Sequence, residues 1–244
     1  MIERILPRKR VIARKSPAPG IDYQQVIIAN PDQVLFVFAC AYPAPRHRML
    51  DRFLVIAEWQ RVQAIIVANK VDLVDEQVAQ ELFLRYQAIG YTVLFTSAKT
   101  GSGLEALRAQ LVGKISALTG PSGAGKSSLL NAIQPGLGLE VSRVSASTGK
   151  GQHTTVASEM FPLEGGGYVA DTPGLKAVAL WDIEPEELDG YFPEISPLVA
   201  GCQFSNCTHI HEPGCAVKAA VEDGRVHPDR FDSYLRIREG EDMI

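Results

Sequence analysis

Gly120-Pro121-Ser122-Gly123-Ala124-Gly125-Lys126-Ser127 stands near the middle of a 244-residue chain. The glycines let the backbone curl until successive N–H groups face one spot, and they let phosphate oxygens approach. Lys126 then meets the β- and γ-phosphates of a nucleotide as a point charge, and Ser127 offers its hydroxyl to Mg²⁺. The helix that continues through Ser128 aims its N-terminus at the same phosphates. The flanks agree: Ile115-Ser116-Ala117-Leu118-Thr119 reads as a buried strand feeding the turn, and Ser128-Leu129-Leu130-Asn131-Ala132-Ile133 as the helix leaving it. The candidate phosphate-binding residues are Gly120, Pro121, Ser122, Gly123, Ala124, Gly125, Lys126, Ser127 and Ser128.

Outward from this loop, strand-like runs at 33–39, 64–69, 91–96 and 115–119 alternate with helical patterns at 47–60, 75–89 and 103–112. Such alternation predicts an α/β domain, a mostly parallel sheet flanked by helices. Runs at 155–163 and 167–171, joined across Gly165-Gly166-Gly167, predict an antiparallel hairpin. The stretch 135–151 is rich in Gly, Ser and Lys with few apolar anchors, and is expected to move when nothing is bound. Pro185, Pro193 and Pro197 mark passage into a separate small domain.

Two motifs precede the phosphate loop. Asn69-Lys70-Val71-Asp72 follows the buried run Ala64-Ile65-Ile66-Val67-Ala68, at the carboxyl end of a strand where α/β proteins bind ligands. A carboxylate there accepts both the N1–H and the exocyclic amine of guanine, a donor pair that adenine lacks. Asp72 is thus the candidate base discriminator, Lys70 packs its stem along the purine, and Asn69 ties neighbouring loops. Ser97-Ala98-Lys99, after Val93-Leu94-Phe95-Thr96, supplies a second loop that closes over the base.

Two more motifs follow it. Asp171-Thr172-Pro173-Gly174 ends the run Tyr168-Val169-Ala170, where Asp171 holds Mg²⁺ through water and the Gly174 N–H meets the γ-phosphate; loss of that phosphate releases the segment. Gly149-Lys150-Gly151-Gln152-His153-Thr154-Thr155 lies where a GTPase places its first switch, and either Thr154 or Thr155 completes the Mg²⁺ shell. Many GTPases carry a Gln directly after Asp-x-x-Gly to orient the attacking water. Leu175 occupies that position here and cannot hydrogen-bond water, which makes His153 on the opposing switch the candidate catalytic group, by orienting the water or by taking its proton.

The chain carries 24 Lys and Arg, 28 Asp and Glu, and a formal net charge of −4, which argues against a protein that coats nucleic acid with its whole surface. Its first fifteen residues differ: Arg4, Arg8, Lys9, Arg10, Arg14 and Lys15 stand against the single acid Glu3, a candidate RNA contact. No apolar run approaches the roughly 18 residues of a membrane span, and no apolar segment follows the basic start as in a signal peptide, so a cytoplasmic protein without membrane contact is expected. Cys40 closes an apolar run and reads as a buried small hydrophobe. The other three cysteines form Cys202-x4-Cys207-x-His209-x5-Cys215, and three thiolates with one imidazole satisfy tetrahedral Zn²⁺ with no open position, a structural site. His211, two residues from His209, is a rival fourth ligand.

Read along the chain, the motifs run base-specificity loop, base-closing loop, phosphate loop, first switch, second switch. An unpermuted GTPase begins with the phosphate loop, so the chain resembles a circularly permuted P-loop GTPase. With the Cys-Cys-His-Cys knuckle after the second switch, it is similar to the ribosome small subunit-dependent GTPase A family (RsgA, also called YjeQ). The most specific pieces are Gly-Lys-Gly-Gln-His-Thr-Thr at 149–155, Asp-Thr-Pro-Gly-Leu at 171–175 and His-Glu-Pro-Gly-Cys-Ala-Val at 211–217.

The resemblance implies GTP hydrolysis stimulated by the small (30S) ribosomal subunit, late in that particle's maturation. It implies GTP and GDP as ligands with Mg²⁺, one structural Zn²⁺ on Cys202, Cys207, His209 and Cys215, His153 as the catalytic switch histidine, and binding of 16S rRNA by a monomeric protein. A rival expectation is a nucleotide-dependent RNA-binding assembly module with little hydrolysis of its own. Members usually carry an N-terminal OB-fold barrel, which needs about five strands. Only some thirty residues precede the first sheet strand here, room for one or two strands around Ile5 and Val11-Ile12-Ala13, so the barrel is expected to be absent or truncated. The expected organisation is a basic N-terminal segment at 1–30 with a possible OB-fold remnant, the permuted GTPase domain at 31–183 and a mainly helical zinc-knuckle domain at 184–244. The short tether between second switch and knuckle further suggests that the nucleotide state sets the knuckle's orientation.

Overall fold

The computed structural model describes residues 7–15, 24–139, 159–171 and 183–241; the side chains of Arg14, Lys15, Gln24, Gln25, Glu159 and Asp171 lie outside the described set. Eight strands and six α-helices are found among the described residues. Strands β1 (Val11–Lys15) and β2 (Gln24–Ala29) pair antiparallel as a sheet of their own. Strands β3 (Gln33–Ala39), β4 (Gln63–Asn69), β5 (Thr92–Thr96), β6 (Ile115–Thr119), β7 (Glu159–Pro162) and β8 (Tyr168–Asp171) form one six-stranded sheet in the order β5-β4-β3-β6-β8-β7. All its neighbours are parallel except the β7–β8 hairpin at one edge.

Helices cover both faces, which explains why β3 and β4 are almost continuously apolar instead of alternating with polar residues. The side chains still divide by the two-residue period of a strand. Phe36 and Phe38 of β3 point into one core with Phe53 of α1 (His47–Trp59) and with Phe83 and Tyr86 of α2 (Glu76–Ala88). Leu35 and Val37 point into the other with Leu107 and Leu111 of α3 (Leu104–Leu111) and with Leu129, Leu130 and Ile133 of α4 (Lys126–Ile133). Phe36 and Phe53 stack with ring centres 5.4 Å apart. Cys40 is buried at the end of β3, and burial pushes its thiol up to about 11, the behaviour of a small hydrophobe.

The chain enters this sheet in the middle. From β3 it builds outward to the β5 edge, returns past β3 to lay β6 on the other side, and then adds the β7–β8 hairpin. Every parallel strand therefore ends on the same rim, and the loops after β3 and β6 diverge at the switch point where open α/β sheets bind ligands. The β1–β2 hairpin joins the first core through buried Ile12 and Ile28. Its first strand lies where Val11-Ile12-Ala13 predicts one; the second comes from Gln24–Ala29, and Ile5 is outside the described residues.

After residue 183 the chain is mainly helical, with 3-10 turns at Leu188–Tyr191 and Ser196–Gly201, α5 (Ala216–Glu222) and α6 (Pro228–Arg238). Its core of Leu188, Phe192, Ile195, Val217, Val226 and Tyr234 also takes in Val55 of α1. A buried polar cluster seals this contact. Arg230 of α6 donates to Asp51 of α1 at 2.9 Å and to Glu194 at 2.7 and 3.2 Å. Asp51 also accepts from Tyr86 of α2 at 2.9 Å and from Ser233 at 2.5 Å.

Candidate nucleotide site and metal centre

The phosphate loop leaves β6 at Gly120, whose φ is +148°; a Cβ there would lie 2.0 Å from the Val37 carbonyl of β3, so the loop can cross the neighbouring strand only without a side chain. It ends at Gly125, the left-handed residue before α4, with φ +94°. Between them Ala124 is fully buried, whereas Pro121, Ser122 and Gly123 reach the surface. The Lys126 ammonium donates to the carbonyls of Gly120 at 2.9 Å and Pro121 at 3.0 Å, which holds the cation over the turn. Ser127 and Ser128, both half-buried, occupy the first turn of α4, where the helix N–H groups are unpaired within the helix.

The Asn69–Asp72 loop, the candidate base reader, is bound to this turn. Asn69, buried at the end of β4, donates from Nδ2 to the Ala124 carbonyl at 2.8 Å and accepts on Oδ1 from Thr96 Oγ1 at 3.3 Å. One side chain thus joins the ends of β4 and β5 to the loop after β6. Lys70 has left-handed backbone (φ +63°), runs its stem toward Gly125, and donates from Nζ to the Tyr42 carbonyl after β3. Burial lowers the Lys70 ammonium from its ordinary value, with Asp72 opposing. Asp72 accepts from Ser97 Oγ at 2.6 Å, while exposed Lys99 stands 3.9 Å from its other oxygen. Ser97 Oγ in turn accepts from the Thr100 N–H at 3.1 Å, so the loop containing Ala98 is closed by its own first residue.

Asp171 ends β8, in register with Leu118 of β6, two residues before the phosphate loop begins. Its side chain, and His153, Thr154, Thr155, Gly174 and Leu175, lie outside the described residues, as does 140–151 of the stretch expected to move. The β7–β8 hairpin itself forms across Gly165-Gly166-Gly167, with β7 at Glu159–Pro162.

Far from this rim in sequence, Cys202, Cys207, His209 and Cys215 bring their ligand atoms within 4.8 Å of one another. Cys202 and Cys215 sulfurs are 4.0 Å apart, and His209 Nδ1 is 3.6 Å from the first and 3.3 Å from the second. A tetrahedron with metal–sulfur bonds of about 2.3 Å has sulfur–sulfur edges of about 3.8 Å, so the donor set fits Zn²⁺ in size and in softness. His211 is exposed and outside the cluster; His209 is fully buried within it. Glu212 shapes the loop between the ligands by accepting from Thr208 N–H at 2.8 Å, Thr208 Oγ1 at 2.6 Å and the N–H groups of Ile210 and His211 at 3.1 Å each.

Motif reading reaches Asn69, Asp72 and Ser97 but misses the groups that hold them, chiefly Thr96 and the Ala124 carbonyl. Backbone acceptors carry no sequence signal, and a Thr closing a β-rich run is ordinary strand composition. The buried Arg230 is equally silent, because a charged residue on an amphipathic helix reads as solvent-facing.

A phosphate loop on the middle of a parallel sheet, preceded in sequence but joined in space by a base-reading loop, defines a circularly permuted GTPase. The chain belongs to the RsgA GTPase family, whose model matches residues 5–181. The small ribosomal subunit biogenesis GTPase RsgA of Gemmatimonas aurantiaca is 52% identical over 235 residues, covering 96% of this chain and 76% of its own. Its counterpart in Moorella thermoacetica is 45% identical over 235 residues, with 96% and 77% covered. Among solved structures, YjeQ from Thermotoga maritima superposes with a TM-score of 0.78 at 38% identity, covering 98% of this chain and 77% of that one. YloQ, described as a circularly permuted GTPase, gives 0.73 at 34% identity, with 97% and 73% covered. Among the described residues no helix is long and apolar enough to cross a membrane.

Proposed function

We propose that this chain hydrolyses GTP during maturation of the small (30S) ribosomal subunit and is stimulated by that particle. The observation that carries the reading is the Asn69 link to Ala124 at 2.8 Å, together with Ser97 on Asp72 at 2.6 Å, which unites phosphate and base loops in one rim. The names of the relatives, small ribosomal subunit biogenesis GTPases, support the particle. In this reading Asp72 accepts from guanine, Lys70 lies along the ring, and Ser97, Ala98 and Lys99 close the base pocket. The loop N–H groups between Gly120 and Ser128 and the Lys126 ammonium receive the phosphates.

Ser127, Asp171 and one of Thr154 and Thr155 would hold Mg²⁺, which neutralises charge developing between the β- and γ-phosphates. The Gly174 N–H senses the γ-phosphate. His153 positions the attacking water, a duty Leu175 cannot perform. Residues 31–183 form the GTPase domain, 184–244 the zinc-knuckle domain, and 1–30 a basic segment whose exposed Arg8, Lys9 and Arg10 suit contact with 16S rRNA. The protein works in the cytoplasm as a monomer.

Phosphate release measured with and without purified small subunits tests this. Stimulation by the subunits is the expected result. Equal rates, with retained nucleotide-dependent subunit binding, would favour an RNA-binding assembly module over an enzyme.

A further inference from the structure

The imidazole of His209 has two nitrogens and the fold gives them different neighbours. Nδ1 faces the sulfurs of Cys202 and Cys215 at 3.6 and 3.3 Å. Nε2 faces away from them, 3.3 Å from Oδ2 of Asp189. The ring itself is fully buried and borders Tyr234, with centres 5.8 Å apart. The Tyr234 hydroxyl is spent on the Thr208 carbonyl at 3.1 Å, so it leaves Nε2 to Asp189. Glu212 is likewise spent on the backbone of 208–211. Two carboxylates thus divide the work, one holding the loop and the other the ring.

We infer that Asp189 is a positioning residue of the metal centre: by accepting the Nε2 proton it fixes the tautomer in which Nδ1 is the free donor, and so makes His209 a zinc ligand. The inference rests on the reading of the four side chains as a zinc site. A neutral imidazole carries one ring proton, and a ring nitrogen can bind a metal only if the proton is on the other. With the ring itself fully buried, the carboxylate beside Nε2 is what favours one arrangement over the other. Asp189 belongs to the 3-10 turn Leu188–Tyr191, the first regular element described after the 172–182 segment that holds the second switch motif. The ligand set Cys202, Cys207, His209 and Cys215 comes entirely from further along the chain. Metal loading therefore fastens the turn that leaves the GTPase sheet to a centre built from 202–215.

The test uses the full chain. Metal content and competition with a chromogenic chelator are measured for the natural protein, Asp189→Ala and Asp189→Asn, and ¹¹³Cd substitution with ¹⁵N-histidine labelling reports which His209 nitrogen carries the metal. We expect one metal per chain, coupling to Nδ1, and affinity reduced roughly 10- to 100-fold in Asp189→Ala. Asp189→Asn, which keeps an acceptor oxygen, should restore most of the loss. Should Asp189→Ala fail to fold, Asp189→Asn and the cadmium spectrum of the natural protein still decide. Coupling to Nε2, or natural affinity in a folded Asp189→Ala, would overturn the role of Asp189. A natural protein that takes up no metal would overturn the zinc reading itself.

Discussion

Arg230 of α6 and Asp51 of α1 meet 2.9 Å apart across the junction of the C-terminal helical unit and the sheet's covering helices, each side chain 1% exposed. Glu194 takes the other side of the guanidinium, and Phe192 lies under it at 4.6 Å. The group is almost fully committed: two carboxylates, one cation, and hydroxyls from Tyr86 and Ser233. Removing the cation leaves two buried carboxylates without the positive charge they share. Arg230→Met is therefore expected to cost about 3–5 kcal/mol in urea unfolding. A cost below about 1 kcal/mol would mean that water enters the junction.

The same clamp bears on motion. Helices α1 and α2 follow β3 and β4, the strands that end beside the base-reading loop, and both contribute to the cluster. The C-terminal helical unit is thus held by α1 and α2. Spin labels at exposed Glu81 of α2 and Glu239 after α6 should keep one distance distribution with GDP and with a GTP analogue. A shift between the two states would show that the clamp opens and that nucleotide sets the orientation of the C-terminal helical unit.

On the proposed reading, Asp72→Asn exchanges an acceptor oxygen for a donor opposite the amine of guanine. Charge-assisted hydrogen bonds are worth about 1.5–3 kcal/mol each, so GDP affinity should fall on the order of a hundredfold, read by titration calorimetry. Unchanged affinity would remove Asp72 from the base pocket.

Gly125→Ala places a methyl group 2.4 Å from Asn69 Nδ2 on backbone with φ +94°. Asn69 must then give up Ala124, whose carbonyl is left unpaired in a buried setting. Nucleotide affinity should drop at least about tenfold and unfolding stability by about 1–3 kcal/mol. Asn69→Ala alone should reproduce the stability loss through the same carbonyl.

His153→Ala should lower single-turnover GTP hydrolysis on small subunits by about a hundredfold or more, leaving GTP affinity near its natural value. Loss of affinity with an unchanged rate would make His153 a binding residue instead.

His47 and His227 are both held below the ordinary imidazole value, first by burial and then by Arg85. A histidine lowered in the folded state contributes stability that is fully present above its unfolded value near 6.5; the contribution fades as pH falls through the window below that, because the unfolded chain takes the proton first. Asp229, held low by its hydrogen bond from Arg85, loses its own contribution at still lower pH. The urea midpoint should decline from about pH 7 to about pH 5, and His47→Gln with His227→Asn should flatten that slope. Asn at 227 preserves the cap that His227 gives the Asp229 N–H.

Most of the sheet can be read in the chain because β3, β4 and β6 are covered on both faces, and short, almost unbroken apolar runs leave few other structures open. Helices α1, α2 and α3 lie within a residue or so of their periodic patterns for the same reason. The candidate base and phosphate loops stand out because the chemistry they are read for demands particular side chains at strand ends. What joins them does not. Asn69 to Ala124, Thr96 to Asn69 and Lys70 to the Tyr42 carbonyl depend on how strands far apart in sequence come to lie side by side. The same holds for Asp189, which precedes the nearest cysteine ligand by thirteen positions and gives no sign of its partner.

The order of strands in the sheet sets a timetable for synthesis. Strands β3, β4 and β5 leave the ribosome consecutively and can pair at once, whereas β3 must wait for residues 116–119 to gain its other neighbour. Among the described side chains that hydrogen-bond Asp51, only Tyr86 is made by then, and the cation arrives 179 residues after Asp51 itself. Until α6 docks, the acid stays wet and the flank of α1 and α2 stays open. A chain cut short between Ser128 and Arg230 owns the whole phosphate loop and still exposes this unsealed flank, which gives proteases a physical mark by which to tell finished molecules from unfinished ones.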